Sequence, residues 1–248
     1  MRGWRQWLLM LVMAVGMQGI AAAEGLPPQV RLASESWLDY TNADGTGLAW
    51  DLLRKVFEPA GVKVTVLSAP YTRAVGLVKR GEADAWVGSY AAENDDNLYP
   101  RWNFDSDHIY ALGLATHPRP TLETLGQFRL SWVRGYDYQN YLPNITGNYR
   151  EVQRRDGILP MLERERVDFY IDAQTEVEYV RSHAEHPDQF RSTHVAELPL
   201  YLAFGNTPEG RALRELFDKR MDVLVPSGEL KPIFQRWKQP YPFDKPGK

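Results

Sequence analysis

Apolar and polar positions change period along this chain in a recurring order. Val30 to Ser34 reads as a short strand. Gly47 to Phe57 then sets Leu48, Leu52, Leu53, Val56 and Phe57 on one stripe at helical spacing, and Pro59 and Gly61 stop it. From Val62 to Leu67, valines alternate with polar residues, which is the period of a strand. Parallel strands need such a crossover, so the chain opens as α/β. A second unit follows: Tyr71 to Lys79 as a helix, Gly81 beyond its end, and Ala83 to Val87 as a strand.

The pattern returns in the second half, with Ile158 to Arg164 as a helix and Val167 to Ile171 as a strand. Setting Asp84 on Asp168 aligns Leu77-Val78 with Met161-Leu162, Ala85-Trp86-Val87 with Phe169-Tyr170-Ile171, and Gly88 with Asp172. Each half therefore delivers a buried strand whose carboxyl end meets a polar residue. In open α/β sheets that end is where ligands bind. Between the halves lie a short helix at Thr121 to Gly126, a strand at Phe128 to Val133, and a turn from Gly135 to Tyr138. Apolar stretches at Leu112 to Thr116 and Leu198 to Phe204 bracket this segment. Arg211 to Leu224 is an amphipathic helix broken by Gly228, and Leu230 to Trp237 closes the chain with a short one.

The first 23 residues follow a different logic. Arg2 and Arg5 precede an apolar run from Trp7 to Met17, and Ala21-Ala22-Ala23 supplies the small residues of a cleavage site. This is the pattern of a secretory signal peptide cut before Glu24. The apolar run is far shorter than the roughly 20 residues of a spanning helix. The full 248 residues carry 29 Lys and Arg against 32 Asp and Glu, and no Cys. An acidic balance argues against a nucleic-acid partner, and a cysteine-free exported chain suits the bacterial periplasm.

The order of five segments resembles the extracellular solute-binding proteins of family 3, the receptors of amino-acid ABC importers. The segments are Gly47 to Leu52, Leu77 to Gly88, Thr121 to Gly135, Arg166 to Asp172 and Ser227 to Trp237. The resemblance implies a two-lobed, type II periplasmic-binding-protein-like α/β fold with two crossovers between lobes. Lobe 1 would comprise residues 24–112 and 200–248, and lobe 2, inserted, residues 113–199. It further implies a monomer that closes on a small-molecule solute and docks on the membrane permease of an ABC importer. No cofactor and no metal are expected.

One departure stands out. The family usually follows the strand-end glycine with a Thr-Pro-Glu-Arg stretch whose arginine grips a ligand carboxylate. Here Gly88 is followed by Ser89-Tyr90-Ala91-Ala92-Glu93-Asn94, and the next arginine is Arg101. Asp172 stands near the place where the family carries an aspartate for the ligand amine.

The candidate binding residues follow from these positions. Arg73, at the start of a helix, offers a two-point bond to an anion or a salt bridge to Asp84. Trp37, Trp50, Tyr71 and Tyr90 sit near strand ends or helix starts and offer flat walls or cation–π faces; Trp50 falls off the apolar stripe of its helix. Ser89, Tyr90, Gly135 and Tyr136 occupy the turns after two strands. His183 and His186 read as a solvated pair, and the mixed-sign runs Arg150 to Asp156 and Glu163 to Arg166 as solvated faces. Serine-hydrolase, phosphate-loop and zinc-protease motifs are absent. Two other functions fit the same scaffold: an enzyme resembling periplasmic cyclohexadienyl dehydratases, with Asp172 or Glu93 as acid and base, and a solute-sensing subunit.

Overall fold

The computed structural model describes residues 25–91 and 93–244. The leader expected over residues 1–23 lies outside the described residues. Eight strands are hydrogen-bonded in the order β2-β1-β3-β8-β4-β7-β5-β6. In the first half, β1 (Gln29–Ser34) is flanked by β2 (Lys63–Ser68) and β3 (Ala85–Ser89), both parallel to it. In the second, β5 (Leu130–Val133) is flanked by β6 (Tyr149–Val152) and β7 (Phe169–Ala173), again parallel. In each half the central strand comes first in sequence and the chain then crosses from one neighbour to the other. The carboxyl ends of β1 and β5 are thus topological switch points, where an open sheet leaves a crevice.

Two long strands carry the chain between the halves. β4 (Asp105–Leu114) runs antiparallel to β8 (Phe190–Phe204) from Asp105 opposite Leu200 to Leu114 opposite Phe190, with a register shift at Ile109/Tyr110. β8 then continues along β3, and β4 also pairs with β7. The apolar stretches at Leu112 to Thr116 and Leu198 to Phe204 are only the ends of these strands. Polar residues such as Asp105, Asp107, His194 and Glu197 hid their full length in the sequence.

The helices cover the sheets. α1 (Leu48–Phe57) packs against β2 and is also covered by α5 (Pro208–Ser227) and α6 (Lys231–Arg236). Burial on several sides explains why Ala49 and Trp50 are inaccessible along with the apolar stripe. Trp50 is therefore a core residue despite its position off that stripe. α5 starts at Thr207, whose hydroxyl accepts from the Gly210 N–H at 3.0 Å, with Pro208 in its first turn, and ends at Gly228 in the left-handed region. α2 (Tyr71–Lys79), α3 (Ile158–Glu163) and α4 (Gln174–Ser182) complete the set.

The helix expected at Thr121 to Gly126 does not form. Thr121 and Thr124 hydrogen-bond each other's backbone N–H groups through their hydroxyls, a local alternative to helical bonding, and only one 3-10 turn (Leu125–Gln127) follows.

Candidate functional site

A cleft open to solvent lies where the two switch points face each other. Its walls hold six aromatic rings: Trp37 and Tyr40 after β1, Tyr71 at the start of α2, Tyr90 after β3, and Tyr136 and Tyr138 after β5. Consecutive centroids are spaced 6.4 Å (Tyr40–Trp37), 6.2 Å (Trp37–Tyr71), 5.6 Å (Tyr71–Tyr136), 5.9 Å (Tyr136–Tyr138) and 6.1 Å (Tyr138–Tyr90). Strand β4 closes the circuit. The Tyr40 hydroxyl donates to Asp105 at 2.9 Å and the Tyr90 hydroxyl to Asp107 at 2.9 Å. Two residues apart on a strand, the two aspartates share one face.

Both halves contribute to this ring. The Trp37 indole N–H donates to the Tyr136 hydroxyl at 2.9 Å, across 99 residues of sequence. Gly88, at φ 86°, brings the backbone so close to the Trp37 ring that a Cβ there would lie 2.7 Å from it. Gly135, at φ 87°, makes a similar approach to Thr72 from the other half.

Behind the ring sits Arg155, in the single 3-10 turn Arg155–Gly157 before α3. Its Nε lies 3.0 Å from Asp172 Oδ2 and 3.1 Å from Glu176 Oε2, and its Nη1 lies 3.2 Å from Glu35 Oε1. Nη2 donates to the Tyr136 hydroxyl at 2.7 Å. Burial alone would lower the Arg155 pKa, but the charge of Asp172 and the groups around it drives it up. Three carboxylates share this one guanidinium. Burial pushes Glu176 up to about 7, Arg155 offsetting only part of that while Asp172 and Glu35 add to it. Burial likewise pushes Asp105 and Asp107 up to about 7.

Five of the nine candidate binding residues line the cleft, Trp37, Tyr71, Tyr90, Tyr136 and Asp172, with Gly88 beside them. Four others stand elsewhere. Trp50 is in the core, its indole N–H donating to the Asn42 carbonyl at 3.2 Å. Arg73 is exposed on α2, and Asp84 pairs instead with Arg31 at 2.6 Å. Ser89 is fully buried, its hydroxyl donating to Glu93 at 2.8 Å. Gly135 packs on Thr72 beside the ring. Glu93 also accepts from the Tyr71 hydroxyl at 2.6 Å, and burial raises its pKa.

Arg155 corrects the reading of Arg150 to Asp156 as a solvated face. Its neighbours Arg154 and Asp156 are exposed, while Arg155 turns inward. His183 and His186 are both exposed: His183 caps the end of α4 and bonds the Tyr179 carbonyl at 2.8 Å, and His186 precedes the next turn. Among the described residues, no group of three His, Asp or Glu is placed to hold a metal ion, and no helix is long and apolar enough to cross a membrane.

No protein-family model matches the chain, and neither does any curated protein sequence. Solved structures do match. A histidine kinase sensor domain with similarity to periplasmic binding proteins superposes with a TM-score of 0.69 at 15% identity, over 84% of this chain and 95% of that one. The substrate-binding protein of an amino acid ABC transporter gives 0.64 at 12% identity, over 85% and 100%. An ABC uptake transporter substrate-binding protein from Streptococcus pneumoniae with bound histidine gives 0.66 at 15%, over 85% and 92%. The fold is thus the two-lobed α/β fold of periplasmic binding proteins, as the sequence resemblance implied.

Proposed function

We propose that the protein is a periplasmic solute-binding protein, exported by its leader. It captures a small polar solute in the aromatic cleft by lobe closure and delivers it to an ABC importer. The observation that carries this reading is the Trp37–Tyr136 hydrogen bond at 2.9 Å. It joins residues after the two switch points, so the cleft is complete only when the halves are together. A solute binding that closed form better than an open one shifts the population toward closure. The proposed division of the chain is residues 24–112 with 200–248, and 113–199.

The test is small-angle scattering of the purified mature chain with and without solutes that raise its melting temperature. A bound solute contracts the radius of gyration, and the liganded protein is retained by membranes carrying its cognate permease. A chain whose melting temperature responds to no small solute is not a receptor.

The histidine kinase sensor domain, at a TM-score of 0.69, supports a second reading in which the closed form reports to a membrane kinase. Retention by a kinase ectodomain in place of a permease separates the two.

A further inference from the structure

The ring of six aromatics is closed by two aspartates, and no arginine or lysine stands among the residues lining the cleft. A ligand carboxylate would need a cation to meet it. Arg155, whose partners Asp172 and Glu176 line the cleft, is already committed to them and to Glu35. Neither Asp105 nor Asp107 is paired with an arginine or lysine among the described residues; each accepts instead from a tyrosine hydroxyl. Two carboxylates accept from neutral tyrosine donors in a wall of π faces, and His108 is the one lining side chain able to carry positive charge. Ring faces attract cations, and they do so more strongly where water is excluded. Tyr136 meets the protein's own guanidinium at its hydroxyl, which accepts from Arg155 Nη2 at 2.7 Å.

We infer that the solute is an organic cation without a carboxylate, its ammonium or quaternary ammonium head caged by the six rings and neutralised by Asp105 and Asp107. This rests on the reading of the cleft as a solute site. A metal ion is a poor fit, because among the described residues no three His, Asp or Glu side chains are placed to hold one. An amino acid is also a poor fit. It brings a carboxylate into a cleft whose lining carries Asp105, Asp107, Asp172 and Glu176 and no arginine or lysine.

The experiment is calorimetry and thermal shift on the mature chain at pH 8 with two panels: tetramethylammonium, choline, putrescine and agmatine, against glutamine, glutamate and succinate. At least one cation is expected to bind and raise the melting temperature. Its affinity should fall at least tenfold in Asp107→Asn and in Tyr138→Leu, two changes that remove charge and ring separately. Glutamine, glutamate or succinate binding as tightly as the best cation overturns the cation assignment and leaves solute capture standing. Silence from both panels overturns the two together. Unchanged cation affinity in both variants places the cation outside the ring and rejects the inference.

Discussion

Arg155 and Glu35, 120 residues apart, meet at 3.2 Å behind the aromatic ring. Glu35 has its other oxygen on the Tyr71 N–H at 3.1 Å, so one carboxylate ties the first turn of α2 to the opposite half. Removing the guanidinium by Arg155→Met strands Glu35, Asp172 and Glu176 without a counter-charge. Breaking a buried pair from one side costs about 3–5 kcal/mol, and denaturant titration measures it. Glu35→Gln leaves Arg155 with Asp172 and Glu176, so its cost is about 1 kcal/mol. Its main effect is on geometry: the unliganded radius of gyration increases. Equal stability losses in the two variants would mean that Glu35, not the trio, is the partner that matters.

Gly88 carries the second prediction. At φ 86° an L side chain is strained, and a Cβ would meet the Trp37 ring at 2.7 Å. Gly88→Ala therefore costs about 1 kcal/mol or more in backbone strain and displaces the indole from Tyr136. Tryptophan emission should change and solute affinity fall together. An unaltered spectrum with intact affinity would show that Trp37 has room to yield.

Much of the fold was legible because the chain states it twice. Asp84 accepts from the Arg31 N–H at 2.7 Å, and its two oxygens meet the Arg31 guanidinium at 3.2 and 2.6 Å. Asp168 does the same for Arg129 at 2.7, 3.1 and 2.5 Å. The alignment of Asp84 with Asp168 thus marks one device at the start of β3 and β7, each clamping the strand that begins beside it. Burial works against the Asp168 charge, but hydrogen bonds from Arg129 hold its pKa below the ordinary value. Asp168→Asn should then cost about 1–2 kcal/mol at neutral pH. A carboxylate with a lowered folded pKa stabilises above its unfolded pKa and loses that contribution as pH falls through the folded one. The wild-type advantage over Asp168→Asn should accordingly shrink as pH falls below about 4, as parallel urea titrations will register.

The site was less legible than the fold, for a physical reason. Trp37, Tyr71, Tyr90 and Tyr136 stood out because aromatics at strand ends and helix starts can wall a ligand, although such rings also fill cores, as Trp50 does. Arg155 did not, because it lies within a run of charges and only the 3-10 turn rotates it inward. Asp105 and Asp107 alternate in the manner of a strand, yet an acidic strand reads as loop until β8 is known to pair with it. Trp50 failed in the opposite direction, since the covering of α1 by α5 and α6 comes from the far end of the chain.

The raised carboxylates make a prediction for the unliganded protein. Asp105, Asp107 and Glu176 sit near 7 in the fold, well above their ordinary values. Asp105 faces Tyr40 and Glu197; Asp107 faces Tyr90, Asp105 and Asp172, with His108 beside it on β4 and Tyr138 across the cleft. Between the unfolded and folded pKa values the native state holds protons that the unfolded chain has released. Stability must then fall as pH rises from about 4 through 7, by at most about 1.4 kcal/mol per pH unit for each group. Asp168 acts only below about pH 4, so the two trends meet in a maximum near pH 4. Denaturant midpoints at pH 5 and pH 8 should differ by an amount that Asp105→Asn with Asp107→Asn reduces, leaving the share of Glu176. A bound cation opposes the same trend by favouring the ionised aspartates, so its affinity increases from pH 6 to pH 8. A flat stability profile over this range would mean that water reaches these carboxylates freely, and the cleft would lose the low-dielectric character on which cation capture depends.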